Sequence, residues 1–274
     1  FKKWLNSNYH GNMNFLFNSF DKRTNIYKFY PAAKSVVVVL LNYYKQINAD
    51  NEIYPKIAKY AMGKDYHKII YEKLKILLIS LKENYSNEID GKIFVDTSPV
   101  LEKTLAMQAG LGWIGKNCLL INKDYGSYNF LGGLILNIEL DYDKAYDNDY
   151  CSNCVKCIEA CPTGALVAPR MLDARKCISY LTIENKEIIP MEFKNKFKGY
   201  IYGCDICQDI CPWNKDIIQT KEPLLEPNMA ILKLKKEDWL KLSEVDFKKL
   251  FKNSPVERIK YKNFKRNIDF VLNS

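Results

Sequence analysis

Cys151-Ser152-Asn153-Cys154-Val155-Lys156-Cys157-Ile158-Glu159-Ala160-Cys161-Pro162 is the stretch from which the rest of the chain can be read. A cubane iron–sulfur cluster needs four thiolates around a compact core. Steps of three residues wrap the backbone around one cube and aim its amides at the sulfides. The fourth cysteine, followed by proline, faces away and can hold a second cube. A second run, Cys204-x2-Cys207-x3-Cys211-Pro212, is one cysteine short, and Cys177 upstream can supply it. That makes eight cysteines, the number two [4Fe–4S] clusters require. Crossed ligation gives Cys151, Cys154, Cys157 and Cys211 to one cluster, and Cys161, Cys177, Cys204 and Cys207 to the other. Four-cysteine zinc sites are the alternative, which the compact first run disfavours.

The ninth cysteine, Cys118, begins an apolar strand and reads as a buried, inert thiol. The odd total and the clustering disfavour a disulfide framework. With only His10 and His67 in the chain, zinc sites built on several histidines and two-His-one-carboxylate iron are nearly excluded. The 274 residues, 47% hydrophobic and 27% charged, fit a globular protein. The longest aliphatic run, Val36 to Leu41, is too short to cross a bilayer. No signal peptide is visible, so the expectation is a cytoplasmic protein with no membrane association. The net charge of +9 suits a polyanionic partner without requiring one.

Three segments follow from the patterning. Residues 1–147 read as a mixed α/β (α+β) domain. Its strands are expected at Ser35–Tyr44, Lys92–Asp96, Cys118–Asn122 and Tyr128–Leu140, with a turn at Asp124–Ser127 joining the last two. Its helices are expected at Asp65–Asn84 and Val100–Ala109, the second capped by Ser98 and stopped by Gly110. Residues 148–217 are the double-cluster domain, reached through an acidic, tyrosine-rich linker. Residues 218–274 are charged and helical. No Gly-x-Gly-x-x-Gly fingerprint or Walker A loop is present. Gly110-Leu111-Gly112-Trp113-Ile114-Gly115 follows a helix, so a turn or a surface for close cofactor approach is as good a reading as a phosphate loop. Two clusters in a small domain make an electron wire, and electrons should pass to something bound in the first domain.

Several further blocks resemble epoxyqueuosine reductases, in order along the chain: Ala61-Met62-Gly63-Lys64-Asp65-Tyr66-His67, Phe94-Val95-Asp96-Thr97-Ser98-Pro99, Gly112-Trp113-Ile114-Gly115-Lys116-Asn117, Asp173-Ala174-Arg175-Lys176-Cys177-Ile178-Ser179-Tyr180 and Gly203-Cys204-Asp205-Ile206-Cys207. The resemblance implies a cobalamin-binding domain like that of reductive dehalogenases, followed by a ferredoxin-like double-[4Fe–4S] domain. It implies reduction of epoxyqueuosine to queuosine at the wobble position of a tRNA anticodon. Asp96 is implied as proton donor, and Lys59, Ser179 and Asp205 as further corrinoid contacts. An electron donor such as a flavodoxin or ferredoxin, and a monomeric state, are the expected context.

The residues themselves are compatible with this. No Asp-x-His-x-x-Gly run supplies a lower cobalt ligand, so a corrinoid should be base-off unless His67 reaches it. A packing or helix-surface role is the plainer reading of His67. Without the resemblance, Asp96 reads as a cap or turn carboxylate. As a proton donor near neutral pH it needs a raised pKa, which burial against a corrin face would give. Trp213, Tyr202 and the Lys194–Lys198 run are candidates for gripping the anticodon loop. Two rival readings are a reductive-dehalogenase-type enzyme acting on a small molecule and a non-catalytic, ferredoxin-like electron carrier.

Overall fold

The computed structural model describes residues 1–47 and 54–273. Its central sheet has three strands. Ser35–Asn42 and Gly91–Val95 each pair antiparallel with Asn129–Leu136, which runs between them. The mixed class therefore resolves to α+β, because an antiparallel ladder needs no helical crossover. The middle strand is buried from Phe130 to Leu136. Its glycines permit the close packing. A Cβ on Gly133 would lie 2.1 Å from the Val37 carbonyl oxygen and 2.5 Å from the Phe94 ring.

The long helix, Tyr66–Asn84, lies against this sheet through Ile69, Ile70 and Leu74. Asp65 caps it by accepting the His67 backbone N–H at 3.1 Å. The shorter helix is Glu102–Gln108, and Ser98 does not cap it. The Ser98 carbonyl instead accepts the Val100 N–H, so the chain turns before the helix begins. The expected strand at Cys118–Asn122 shrinks to Leu120–Ile121 and pairs with Trp113–Ile114. The glycine run is thereby explained. A Cβ on Gly112 would fall 2.1 Å from the Ile121 carbonyl oxygen, so the run serves backbone approach rather than phosphate.

The cysteine-rich stretch folds as two one-turn helices, Lys156–Glu159 and Ile206–Asp209, set against each other. The first residues pack on this region: the Trp4 indole donates to the Leu172 carbonyl at 2.6 Å. After Lys221 the chain is helical, ending in Lys260–Leu272. One apolar core joins distant segments, with Ile57, Ala61 and Met62 meeting Ile201, Tyr202, Trp239, Phe251 and Phe264. Asn267, fully buried in the last helix, donates to the Thr182 and Ile201 carbonyls at 2.8 and 3.0 Å. These bonds satisfy its amide and lock the C-terminal helix to the cysteine region. Among the described residues no helix is long and apolar enough to cross a membrane.

Candidate functional site

The eight clustered cysteines divide between two cavities. Cys151, Cys154, Cys157 and Cys211 line one of about 250 Å³, beside Tyr150 and Trp213. Cys161, Cys177, Cys204 and Cys207 line another of about 340 Å³. Asn117 forms part of both walls, so the two adjoin. Burial pushes the thiols of Cys177, Cys204 and Cys207 upward in pKa, a cost that metal binding overcomes by taking them as thiolates. Cys118 lines neither cavity, and burial raises its thiol as well.

The inner cysteine cavity has a second character. Leu119, Phe130, Leu166 and Ile178 give it an apolar wall. Two buried acceptors in its lining, Asn129 Oδ1 and Asp205 Oδ1, have no hydrogen-bond partner. Such atoms are costly unless a ligand donates to them. An apolar wall edged by orphaned acceptors fits a flat macrocycle fringed with carboxamide N–H groups, as a corrinoid is. Ser179 and Asp205 both line this cavity. Lys59 does not. Its backbone N–H donates to Asp205 Oδ2 at 2.8 Å, and its ammonium is paired with Asp209 and lies 3.7 Å from Asp205 Oδ2. Burial lifts the Asp205 carboxyl to about 6 against the pull of Lys59.

Asp96 lies in a third cavity, of about 520 Å³. Tyr60 and Tyr66 line both this space and the inner cysteine cavity, so the two share a wall. Asp96 follows strand Gly91–Val95 in a left-handed conformation, φ 43°. Its N–H donates to the Glu102 carboxylate, and its Oδ2 meets His67 Nε2 at 2.8 Å. His67 Nδ1 meets Asp65 Oδ1 at 2.7 Å. The imidazole thus bridges two carboxylates, and its ring stacks on Tyr66, itself stacked on Phe130. Asp96 caps no helix; it sits in a turn, as its residues alone suggest, and its carboxylate is engaged by His67.

The protein's own charges act on Asp96 in the direction opposite to that expected of a corrin face. Burial opposes charge on His67, but the two carboxylates outweigh it and hold the imidazolium up to about 9. Burial would raise Asp96, yet His67, helped by Arg258, holds its carboxyl below the ordinary value rather than above it. Both shifts favour an imidazolium facing a carboxylate. Both ring nitrogens of His67 are engaged, which removes it as a free lower ligand for cobalt.

The expected anticodon grips fall elsewhere, apart from Tyr202. Trp213 packs edge-on against Trp113 beside the outer cysteine cavity. Lys194 donates to the Phe270 and Asn273 carbonyls at the end of the last helix, where those acceptors are otherwise unsatisfied. Lys198 lines a separate pocket near Phe270. The cations that do line the Asp96 cavity are Arg258 and Lys260, from the C-terminal segment.

Residues 23–97, ending just past Asp96, match a family model described as "Epoxyqueuosine reductase QueG, DUF1730". An epoxyqueuosine reductase of Cyclobacterium marinum is 48% identical over 273 residues, 99% of this chain and 87% of that protein. The chain belongs to the epoxyqueuosine reductase family. It is thus an enzyme, an oxidoreductase, and the electron-carrier reading falls away. Residues 150–214 match a 4Fe–4S double cluster binding domain. Solved epoxyqueuosine reductases share the fold. One bound to an epoxyqueuosine-modified tRNA-Tyr stem loop superposes with a TM-score of 0.83 at 36% identity, covering 92% of this chain and 68% of that one. Another, from Bacillus subtilis, has its aspartate-bearing catalytic loop swung out of the active site; its TM-score is 0.84 at 34% identity, with the same coverage.

For an epoxyqueuosine reductase, the features that sequence reasoning missed are the bridging geometry of His67 and the placement of Arg258 and Lys260. The Asp65-Tyr66-His67 run carried a signal for the first, since a cap carboxylate accepts the backbone N–H two residues on and so lies close to that residue. No local signal marked the second.

Proposed function

We propose that this chain reduces epoxyqueuosine to queuosine in the anticodon of tRNA, with two [4Fe–4S] clusters and a base-off cobalamin as its cofactors. Cys151, Cys154, Cys157 and Cys211 hold the outer cluster, and Cys161, Cys177, Cys204 and Cys207 the inner one. Ser179 and Asp205 contact the corrinoid, Asp205 with the Oδ1 that lacks a partner, and Lys59 acts from behind by fixing Asp205. When bound, the clusters supply single electrons and the cobalamin a low-valent cobalt. The electrons enter from an external carrier such as a flavodoxin or ferredoxin.

The protein's own work is positioning and proton delivery. The observation that carries the reading is the wall of Tyr60 and Tyr66 shared by the inner cysteine cavity and the Asp96 cavity. It puts the inner cysteines and a carboxylate on two sides of one partition. Asp96 donates a proton to the departing epoxide oxygen, although His67 and Arg258 beside it favour its carboxylate in the resting site. Its left-handed loop is tied by Glu102, and the Bacillus subtilis relative has its own aspartate-bearing catalytic loop swung out of the active site. Arg258 and Lys260 attract the phosphates around the modified base.

The test is anaerobic incubation with cobalamin, a chemical reductant and an epoxyqueuosine-containing stem loop, followed by nucleoside mass spectrometry. Conversion to queuosine that requires added cobalamin is the expected result. Conversion of the free nucleoside but not the stem loop, or none with both clusters and cobalamin in place, contradicts the proposal.

A further inference from the structure

Loss of an epoxide oxygen as water consumes two electrons and two protons and leaves a carbon–carbon double bond. Asp96 carries one proton at a time, so each turnover needs it to be recharged. Resting on the reading of Asp96 as the proton donor, we infer that His67, held in place by Asp65, is a positioning residue that reloads Asp96 with protons. In each transfer the Nε2–H bond of His67 breaks and an O–H bond forms at Asp96 Oδ2. Because His67 and Arg258 favour the Asp96 carboxylate, Asp96 takes this proton only as it gives one up to the departing oxygen, and the imidazole takes its replacement from solvent through the cavity. Two deliveries, with two electrons from the external carrier, release one water.

The geometry is specific to this path. The Nε2 and Oδ2 atoms are 2.8 Å apart, within direct transfer distance. On the far side of the ring, Asp65 Oδ1 at 2.7 Å from Nδ1 fixes the ring plane and favours the charged form. Asp65 is itself anchored, since it also accepts the His67 backbone N–H as the helix cap. Stacking on Tyr66, 4.1 Å between ring centroids, limits ring rotation.

The other titratable groups facing this pair do not serve. Burial and the neighbouring carboxylates push the Tyr66 phenol far up, so it keeps its proton. Arg258 faces Asp96 and favours the carboxylate, as does His67. Glu102, lifted to about 8 by burial and then by the charge of Asp96, accepts the Asp96 backbone N–H, and no hydrogen bond joins its carboxyl to that of Asp96 among the described residues. Glu257 and Lys260 line the same cavity and complete its charged wall.

Two measurements test the inference. The first reads the proton store without turnover. The chain has only His10 and His67, so imidazole resonances of 15N-labelled protein are readily assigned. His67 should titrate near about 9. In Asp65→Asn it should move down toward the ordinary value of about 6.5. Titration of wild-type His67 at that ordinary value overturns the inference.

The second is single-turnover reduction of the stem loop by His67→Gln, with saturating reductant, from about pH 6 to about pH 9. The rate should fall at least about tenfold at pH 8 and much less at pH 6, where solvent recharges Asp96 directly. The KM for the stem loop should stay at the wild-type value. A wild-type rate throughout, or an equal loss at every pH with a raised KM, overturns it. Asp96→Asn run in parallel separates the two readings. If it turns over at full speed, Asp96 is not the donor. If it is impaired while His67→Gln follows the wild-type profile, only the reloading role fails.

Discussion

The eight clustered cysteines come from one stretch between Cys151 and Cys211, whereas the Asp96 cavity is assembled from Tyr60, Asp65–His67, Asp96–Thr97, Tyr202 and Ser254–Lys260. The two regions are also completed differently. In the inner cysteine cavity, burial presses thiols toward their neutral form and leaves Asn129 and Asp205 oxygens unpartnered, so this region is finished by what it binds. In the Asp96 cavity the charges are already balanced by protein. His67 lies between two carboxylates, and Arg258 is paired with Glu184. The comparison teaches that the cysteine side is left to be completed by what it binds, while the charges of the Asp96 side are paired by the fold itself.

The hardest blow to this contrast falls on the cysteine side. Cys177→Ser removes a proposed ligand that lies outside both compact runs and lines the inner cysteine cavity. Iron should drop from about eight to about four per chain, and stem-loop turnover should be lost. The His67 imidazole should still titrate near about 9, because the Asp96 cavity does not rely on the cluster. Iron analysis with histidine NMR checks both halves. Full iron content in Cys177→Ser, or a collapsed His67 pKa with it, breaks the comparison. Cys118→Ser should leave the iron content unchanged.

A smaller effect is expected at the rim of the proton side. Arg258→Ala should weaken stem-loop binding by about 1 kcal/mol, roughly fivefold, and flatten its salt dependence. Charge reversal at Lys194, Lys196 and Lys198 together should cost less per charge removed, since Lys194 is spent on the last helix. Binding isotherms at several salt concentrations decide this. A larger effect per charge from the lysines would place the tRNA on the other face.

How much of this was legible follows the same division. Cysteine spacing is a local record of a cube's size, and both the double-cluster domain and the two groups of four could be read from it. The helix at Tyr66–Asn84 and the outer strands were legible because apolar period and capping are also local. The partners of Asp96 were not. Its rise was expected from burial against a corrin face, whereas the protein's own contact with His67, 29 residues away, which lowers it, depends on tertiary packing. Arg258 and Lys260 looked like any others in a charged helical tail. The Lys194–Lys198 run drew notice for its density of charge, yet Lys194 holds the end of a helix.

The central claim is that Asp96 delivers protons to a reaction whose electrons arrive through the cysteine side. Asp96→Asn tests it most directly, since the change keeps the shape and touches no thiolate. Visible spectra should show both clusters and bound cobalamin as in the wild type. Single-turnover reduction of the epoxyqueuosine stem loop, under conditions where chemistry limits the rate, should slow by about 10²–10⁴-fold. Wild-type turnover by Asp96→Asn, or loss of cobalamin instead of loss of rate, contradicts the claim.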